Sequence, residues 1–341
     1  MSQLWLLEHG RAQRAAREAQ VRRARRRRGA RVLGIGLVVA IGALLGLMAA
    51  RAAGPGTPMP RRASVGRASA VRAAAVPTRS GYGAEPAPVA QRVQIALKLP
   101  LRSGLLFDVH TGQVLWEQRA EDLLPIASLT KMMTALVVVA HASPNAPVMV
   151  TPAAVHFSGS GVGLLPLGKR VQLRTMLYGL MLPSGNDAAI ALAQHVAGTR
   201  GRFIAMMNTQ ARAMGLTCTH FNTVSGIVDQ DNYSCASDLA IIAHAVLTQP
   251  LLAQIVAARD AVLPFPIKGG KLYLYNNNPL LRSGYPGTDG VKTGYTTAAG
   301  RCLVASARRG GAWLGVVLLH SADPPGQAQR LLDAGFNALR S

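Results

Sequence analysis

From about position 94 onward the chain predicts an α+β domain with a helical insertion. Three observations carry that prediction. Strand-like segments stand at both ends of the region, at 104–108 and 113–117 and again at 272–275, 301–306 and 313–319. Between them helical periodicity prevails. The supply of apolar residues is also ample: 49% of the 341 residues are hydrophobic, enough for one or two domains with a substantial core.

The chain opens on a basic leader, residues 1–31, with ten arginines against two glutamates. Residues 32–50, VLGIGLVVAIGALLGLMAA, follow without a single charge. Nineteen residues in a helix reach about 28 Å, close to the hydrocarbon thickness of a bilayer. Nine arginines lie in the twenty residues before this segment and four in the twenty after it. The positive-inside rule therefore keeps the N-terminus cytoplasmic and exports the rest. The expectation is a single-pass anchor in the inner membrane, although small-residue sites such as Ala50-Arg51-Ala52 also suit signal cleavage. An arginine run beside an apolar span finds its use at lipid head groups, so no nucleic acid is expected as a partner. Residues 51–93, rich in Ala, Arg, Gly, Pro and Ser, cannot bury much apolar surface and read as a flexible linker.

The globular region, 94–341, begins with a hairpin turning at His110-Thr111-Gly112. After Pro125, the stretch IASLTKMMTALVVVA at 126–140 places Ser128 at a helix start and a buried helix body at 132–140. Segments 173–182 and 187–197 read as helices broken by Pro183-Ser184-Gly185, and 202–214 and 237–247 follow. Beyond residue 260 the pattern turns to strands, and 327–339 closes the chain with helical periodicity. Of the cysteines, Cys218 and Cys235 are nearest in sequence and suit a bridge in an oxidising compartment, while all three equally suit small buried hydrophobes. No CxxC or HExxH occurs, and the histidines lack metal-ligand spacing, so neither metal nor cofactor is expected.

Three polar motifs interrupt the apolar pattern. Ser128 stands three residues before Lys131, one of only six lysines. A serine hydroxyl is a poor nucleophile until a base takes its proton, and Lys131 lies one helical turn along the same face. Such a base must be neutral, and bringing a lysine from about 10.4 to about 7 opposes its charged form by roughly 4.6 kcal/mol. Burial, the positive end of a helix and a second cation could supply that. The second motif is Ser184-Gly185-Asn186, and the third is Lys292-Thr293-Gly294. Lys292 is the candidate second cation. A lone Ser-x-x-Lys carries little information, but the three in this order match the set of penicillin-recognising serine enzymes.

With these motifs go FDVHTGQVLWEQRAEDLLPIASLTKMMTAL, MLPSGNDA, FNTVSGI and DGVKTGYTTAAGRCLVASA. Together they make the chain resemble the serine-type D-alanyl-D-alanine carboxypeptidases, the low-molecular-mass penicillin-binding proteins, over roughly residues 95–340. The resemblance implies a β-lactamase/DD-peptidase-like α+β fold with an antiparallel sheet flanked by helices and a helical subdomain. It implies peptidoglycan stem peptides as substrates and β-lactams as covalent inhibitors. It makes Ser128 the nucleophile and Lys131 its base. Ser184 relays a proton to the leaving amine, and Asn186 orients lysine and substrate amide. Lys292, Thr293 and Gly294 line one edge of the cleft, with Thr293 receiving the terminal carboxylate. The backbone N–H groups of Ser128 and Tyr295 form the oxyanion hole.

Two departures stand out. Relatives commonly carry an arginine after the strand at 316–319, where this chain reads His320-Ser321-Ala322-Asp323-Pro324-Pro325. Carboxylate capture then rests more on Lys292 and Thr293. The β-rich second domain and C-terminal amphipathic helix of many relatives are not expected here, and the apolar segment at 32–50 could take over the anchoring role. A class A β-lactamase is excluded by its need for a deacylating glutamate, since the five glutamates, at 8, 18, 85, 117 and 121, all precede Ser128. D,D-endopeptidase action on crosslinks is the alternative for the same machinery. A non-catalytic cell-wall-binding module is the contrasting reading, disfavoured by the presence of both lysines. Asp289 is either a solvated turn residue or a support for the site.

Overall fold

The computed structural model describes Tyr82 and residues 86–163 and 165–340. The leader at 1–31, the apolar segment at 32–50 and the linker as far as residue 81 lie outside the described residues. Among the described residues no single helix is long and apolar enough to cross a membrane.

Five antiparallel strands form the central sheet: β1 (Leu101–Asp108), β2 (Val114–Gln118), β3 (Thr288–Thr296), β4 (Gly300–Arg309) and β5 (Ala312–Ser321). Their spatial order is β2-β1-β5-β4-β3, with registers such as Leu105↔Val317, Val316↔Ala305 and Val304↔Lys292. Strands from the two ends of the domain thus meet at the β1–β5 seam. Both faces are covered, so β4 and β5 read as nearly continuous apolar runs. Val317 and Leu319 enter one core, while Leu314, Val316 and Leu318 enter the other.

The helical insertion fills the first core. It comprises α1 (Thr130–His141), α2 (Leu173–Met181), α3 (Asn186–Ala197), α4 (Arg200–Ala213), α5 (Ala236–Thr248) and α6 (Pro250–Ala257). The first of these, α1, is buried at every residue from Thr130 to Val138, because α2, α3, α4 and α5 pack around it. A helix that is apolar all round is a core helix, and burial overrides the modest cost of its Val137-Val138-Val139 run. At the α3–α4 corner, Gly198 takes φ 74° and Thr199 accepts a hydrogen bond from the Arg202 N–H at 3.2 Å. The second core lies under α7 (Pro324–Ala338), which starts at the Asp323 cap with Pro324 in its first turn.

Two features differ from the sequence expectation, and a third settles an open alternative. The fold begins before residue 94: Ala87 and Val93 are buried, and their N–H groups donate to Val114 O and Leu115 O along the outer edge of β2. Tyr82 stacks on His244 with ring centroids 3.8 Å apart. Pro- and Ala-rich chain shows no periodicity, yet it suits the edge of a sheet, where a missing N–H does no harm. The helix α6 and the hairpin Asp260–Pro264 with Lys271–Tyr275 were only partly expected, since eight residues behind a proline show scarcely two turns of periodicity. Cysteine pairing was open, and here Cys218 and Cys235 form a disulfide with Cα atoms 5.6 Å apart, while Cys302 is free and buried.

Candidate active site

The sheet edge, the start of α1 and the start of α3 converge on one pocket. Ser128 sits in a single 3-10 turn, Ala127–Leu129, that leads into α1. Ala127 takes φ 47°, a left-handed conformation that L-residues rarely adopt. Its carbonyl accepts from Thr130 Oγ1 at 2.8 Å, and Gly226 packs so close that a Cβ there would stand 1.8 Å from the same oxygen. The turn is therefore held from two sides, and it leaves Ser128 half-buried while its neighbours are buried.

Lys131 is fully buried, 0% exposed, and its Nζ lies 2.8 Å from Ser128 Oγ. The other two partners of that amine are both acceptors: Asn186 Oδ1 at 2.7 Å and the Ser225 carbonyl at 2.7 Å. Asn186 cannot be turned over, because its Nδ2 donates to Ser158 O at 2.6 Å. Two N–H bonds of a neutral amine are thus committed, and the tetrahedral position that remains points its lone pair at the serine hydroxyl. The ammonium form is opposed first by burial and second by Lys292, while Asp187 favours it more weakly; the amine is held well below the usual lysine range. Of the three causes the sequence suggested, burial and Lys292 are the ones that act here.

Lys292, on β3, is 2% exposed, and burial brings its pKa down to about 7. Its Nζ donates to Thr293 O at 3.0 Å. Thr293 is half-buried beside it. Gly294 brings β3 against the nucleophile turn: a Cβ would meet Ile126 O at 3.0 Å and Ser128 N at 3.1 Å. Because β3 is the last strand of the sheet, no further strand of that sheet takes up its outer N–H and C=O groups. Tyr295, 67% exposed, stands at the rim. Ser184 takes φ 67°, and its buried Oγ finds no hydrogen-bond partner among the described residues. That hydroxyl is free to engage a substrate.

Ser128 thus lies on the turn, Lys131 in the first turn of α1, Ser184 and Asn186 at the entry to α3, and Lys292, Thr293, Gly294 and Tyr295 on β3, and direct hydrogen bonds join Ser128, Lys131 and Asn186. Asp289 resolves differently. Its carboxylate accepts from Ser306 Oγ and pairs with Arg308 Nε at 2.9 Å, so it braces β3 against β4 rather than reaching the site.

Sequence reasoning missed three contributors. The carbonyl of Ser225 holds Lys131, and a backbone oxygen leaves no side-chain signature. Asp187 is buried and accepts from the N–H groups of Val162 and Ala188, fixing the 159–163 loop over α3; burial raises its pKa and those hydrogen bonds lower it in part. It was visible as part of PSGND but not as a separate role. Asn232 Nδ2 donates to Thr130 Oγ1 at 2.9 Å, across 102 residues of chain.

Comparison with known proteins places this geometry. The family profile for D-alanyl-D-alanine carboxypeptidases, peptidase S11, matches residues 90–322. The chain is 36% identical over 245 residues to the D-alanyl-D-alanine carboxypeptidase DacB2 of Mycobacterium tuberculosis, covering 70% of this chain and 82% of that one. Against DacF of Bacillus subtilis the identity is 32% over 244 residues, 69% of this chain but only 62% of the relative's length. Its fold is similar to that of the Streptomyces K15 DD-transpeptidase, with a TM-score of 0.67 at 33% identity over 72% of this chain and 100% of that one.

Proposed function

The chain belongs to the D-alanyl-D-alanine carboxypeptidase family, peptidase S11, and from that premise we propose that it removes the terminal D-alanine of peptidoglycan stem pentapeptides through an acyl-enzyme on Ser128. The observation that carries this reading is the Lys131 amine, 2.8 Å from Ser128 Oγ, dehydrated, and with its other two hydrogen bonds made to acceptors.

The terminal carboxylate is received by Thr293 beside the Lys292 cation. Ser128 Oγ attacks the carbonyl carbon of the penultimate D-alanine as its proton passes to Lys131 Nζ. Negative charge then develops on the carbonyl oxygen, which the N–H groups of Ser128 and Tyr295 stabilise. Losing one such donor costs about 100- to 1,000-fold in rate. When the C–N bond breaks, the leaving amine takes a proton relayed from Lys131 through the unpartnered Ser184 hydroxyl. Water, activated by the again neutral Lys131, then cleaves the ester and regenerates the serine. A β-lactam enters as a mimic of the dipeptide and acylates the same oxygen. No glutamate follows Ser128, so the deacylating glutamate of a class A β-lactamase is missing and turnover of β-lactam esters is expected to be slow.

The apolar segment at 32–50 anchors the chain in the inner membrane, with the catalytic domain on the extracytoplasmic side. Arginine asymmetry around that segment supports this placement, as does the Cys218–Cys235 disulfide, which needs an oxidising compartment.

The test is labelling of the purified chain with a fluorescent penicillin alongside mass spectrometry of muropeptide digests. The wild type is expected to take one label and to convert pentapeptides to tetrapeptides, and Ser128→Ala to do neither. Labelling that survives in Ser128→Ala would sink the proposal.

A further inference from the structure

A cavity opens beside the catalytic lysine. It measures about 470 Å³ and lies between residues 156–158 and 222–228. Asn186 and Ser225, whose oxygens hold Lys131, belong to its wall, so it adjoins the catalytic centre. Its charge is one-sided. Arg200, at the start of α4, and His156 line it, and none of the described lining residues is acidic. Arg200 enters no ion pair among the described residues. His156 donates from Nδ1 to Pro152 O at 2.7 Å, which leaves Nε2 for another partner. The lining also has an apolar part that includes Ile204 and Ile227, the latter 42% exposed although it packs against Gly159.

Resting on the carboxypeptidase reading, we infer that this cavity is a subsite for the residue preceding D-Ala-D-Ala, and that it selects a side chain ending in a free carboxylate. In the acyl-enzyme, Thr293 has held the departing alanine, and the retained part of the peptide leaves Ser128 on the Asn186–Ser225 side. The third residue of the stem peptide is the first group long enough to enter the cavity. Its methylenes lie along Ile204 and Ile227, and its terminal charge meets Arg200 with His156 adjacent. A side chain ending in an amine would meet two basic groups and no acid there, and a carboxamide would forgo the ionic attraction.

Two synthetic pentapeptides suffice as probes, identical except that the third side chain ends in a carboxylate or a carboxamide. D-Alanine release by the wild-type chain is expected to favour the carboxylate by about tenfold in kcat/KM, equal to about 1.4 kcal/mol. Raising the ionic strength should shrink that ratio. Arg200→Ala is expected to bring it near unity, Arg200→Glu to invert it, and Arg200→Lys to retain most of it. Calorimetric binding of both peptides to the Ser128→Ala chain provides the second readout. Equal Kd values and equal kcat/KM for the two peptides would overturn the subsite while leaving the carboxypeptidase reading intact. Absent D-alanine release, with the carboxylate peptide still bound about tenfold more tightly and that preference lost in the Ser128→Ala/Arg200→Ala double variant, would sustain the subsite and overturn the carboxypeptidase reading.

Discussion

Two lysine amines buried in one pocket explain both how the residues work and what they cost. Lys292 carries a proton less readily in the folded chain, about 7, than at its ordinary value of 10.5. The unfolded chain therefore binds more protons between those values, and stability rises with pH across that window; below about 7 the full penalty of burying the charge remains. Lys292→Met removes the penalty and keeps the volume. It is expected to raise stability at pH 7 by about 1–3 kcal/mol in denaturant titrations while flattening the rise toward pH 10. A destabilised variant would mean that the Nζ–Thr293 O bond outweighs desolvation. The same change removes one of the causes that keep Lys131 neutral. The acid limb of the penicillin acylation rate, where Lys131 protonates, should accordingly move to higher pH.

At the scale of elements, the segment between Cys218 and Cys235 forms a strap across the site. Its ends are tied by the disulfide, and along its length Ser225 O holds Lys131, Asp229 accepts from Thr296 Oγ1 at 2.7 Å, and Asn232 reaches Thr130. Closing a loop of this size limits the unfolded chain by about 3 kcal/mol. The Cys218→Ser/Cys235→Ser double variant should lose about 2–4 kcal/mol in urea unfolding. It should also acylate with penicillin about tenfold more slowly, since a displacement of Ser225 frees the lysine to turn from the serine. Acylation at the wild-type rate would show that the strap's own hydrogen bonds hold it. Nothing in FNTVSGI announces such a role, because the group that matters is a carbonyl. By contrast α1 was legible from its unbroken apolar run. Strand β3, with Gly290 and Gly294 around a lysine, has no clean alternation and could be placed only through the resemblance its KTG carried.

For the whole molecule, the proposed anchor at 32–50 and the oxidised strap make one statement about compartment. The full chain is expected to sediment with membranes after an alkaline wash, and protease added to spheroplasts should digest the catalytic domain. Recovery in the soluble fraction, shortened near residue 52, would show a cleaved signal instead. The boundary of the folded domain was the least legible large-scale feature. Composition placed it at residue 94, whereas Ala87 and Val93 already lie in the second core, because an edge-binding strap needs extended backbone and leaves no apolar period behind.

The order of side chains along the chain was enough to point to the family and the two-ended sheet, and to propose Ser128 with Lys131 as nucleophile and base, since each depends on residue types at short spacing. Tertiary structure alone decided which cysteines pair, which carbonyl restrains Lys131, that Asp289 serves the sheet, and that Arg200 and His156 share a cavity with Asn186. Those outcomes rest on distances between segments far apart in sequence, and on backbone groups that every residue carries alike.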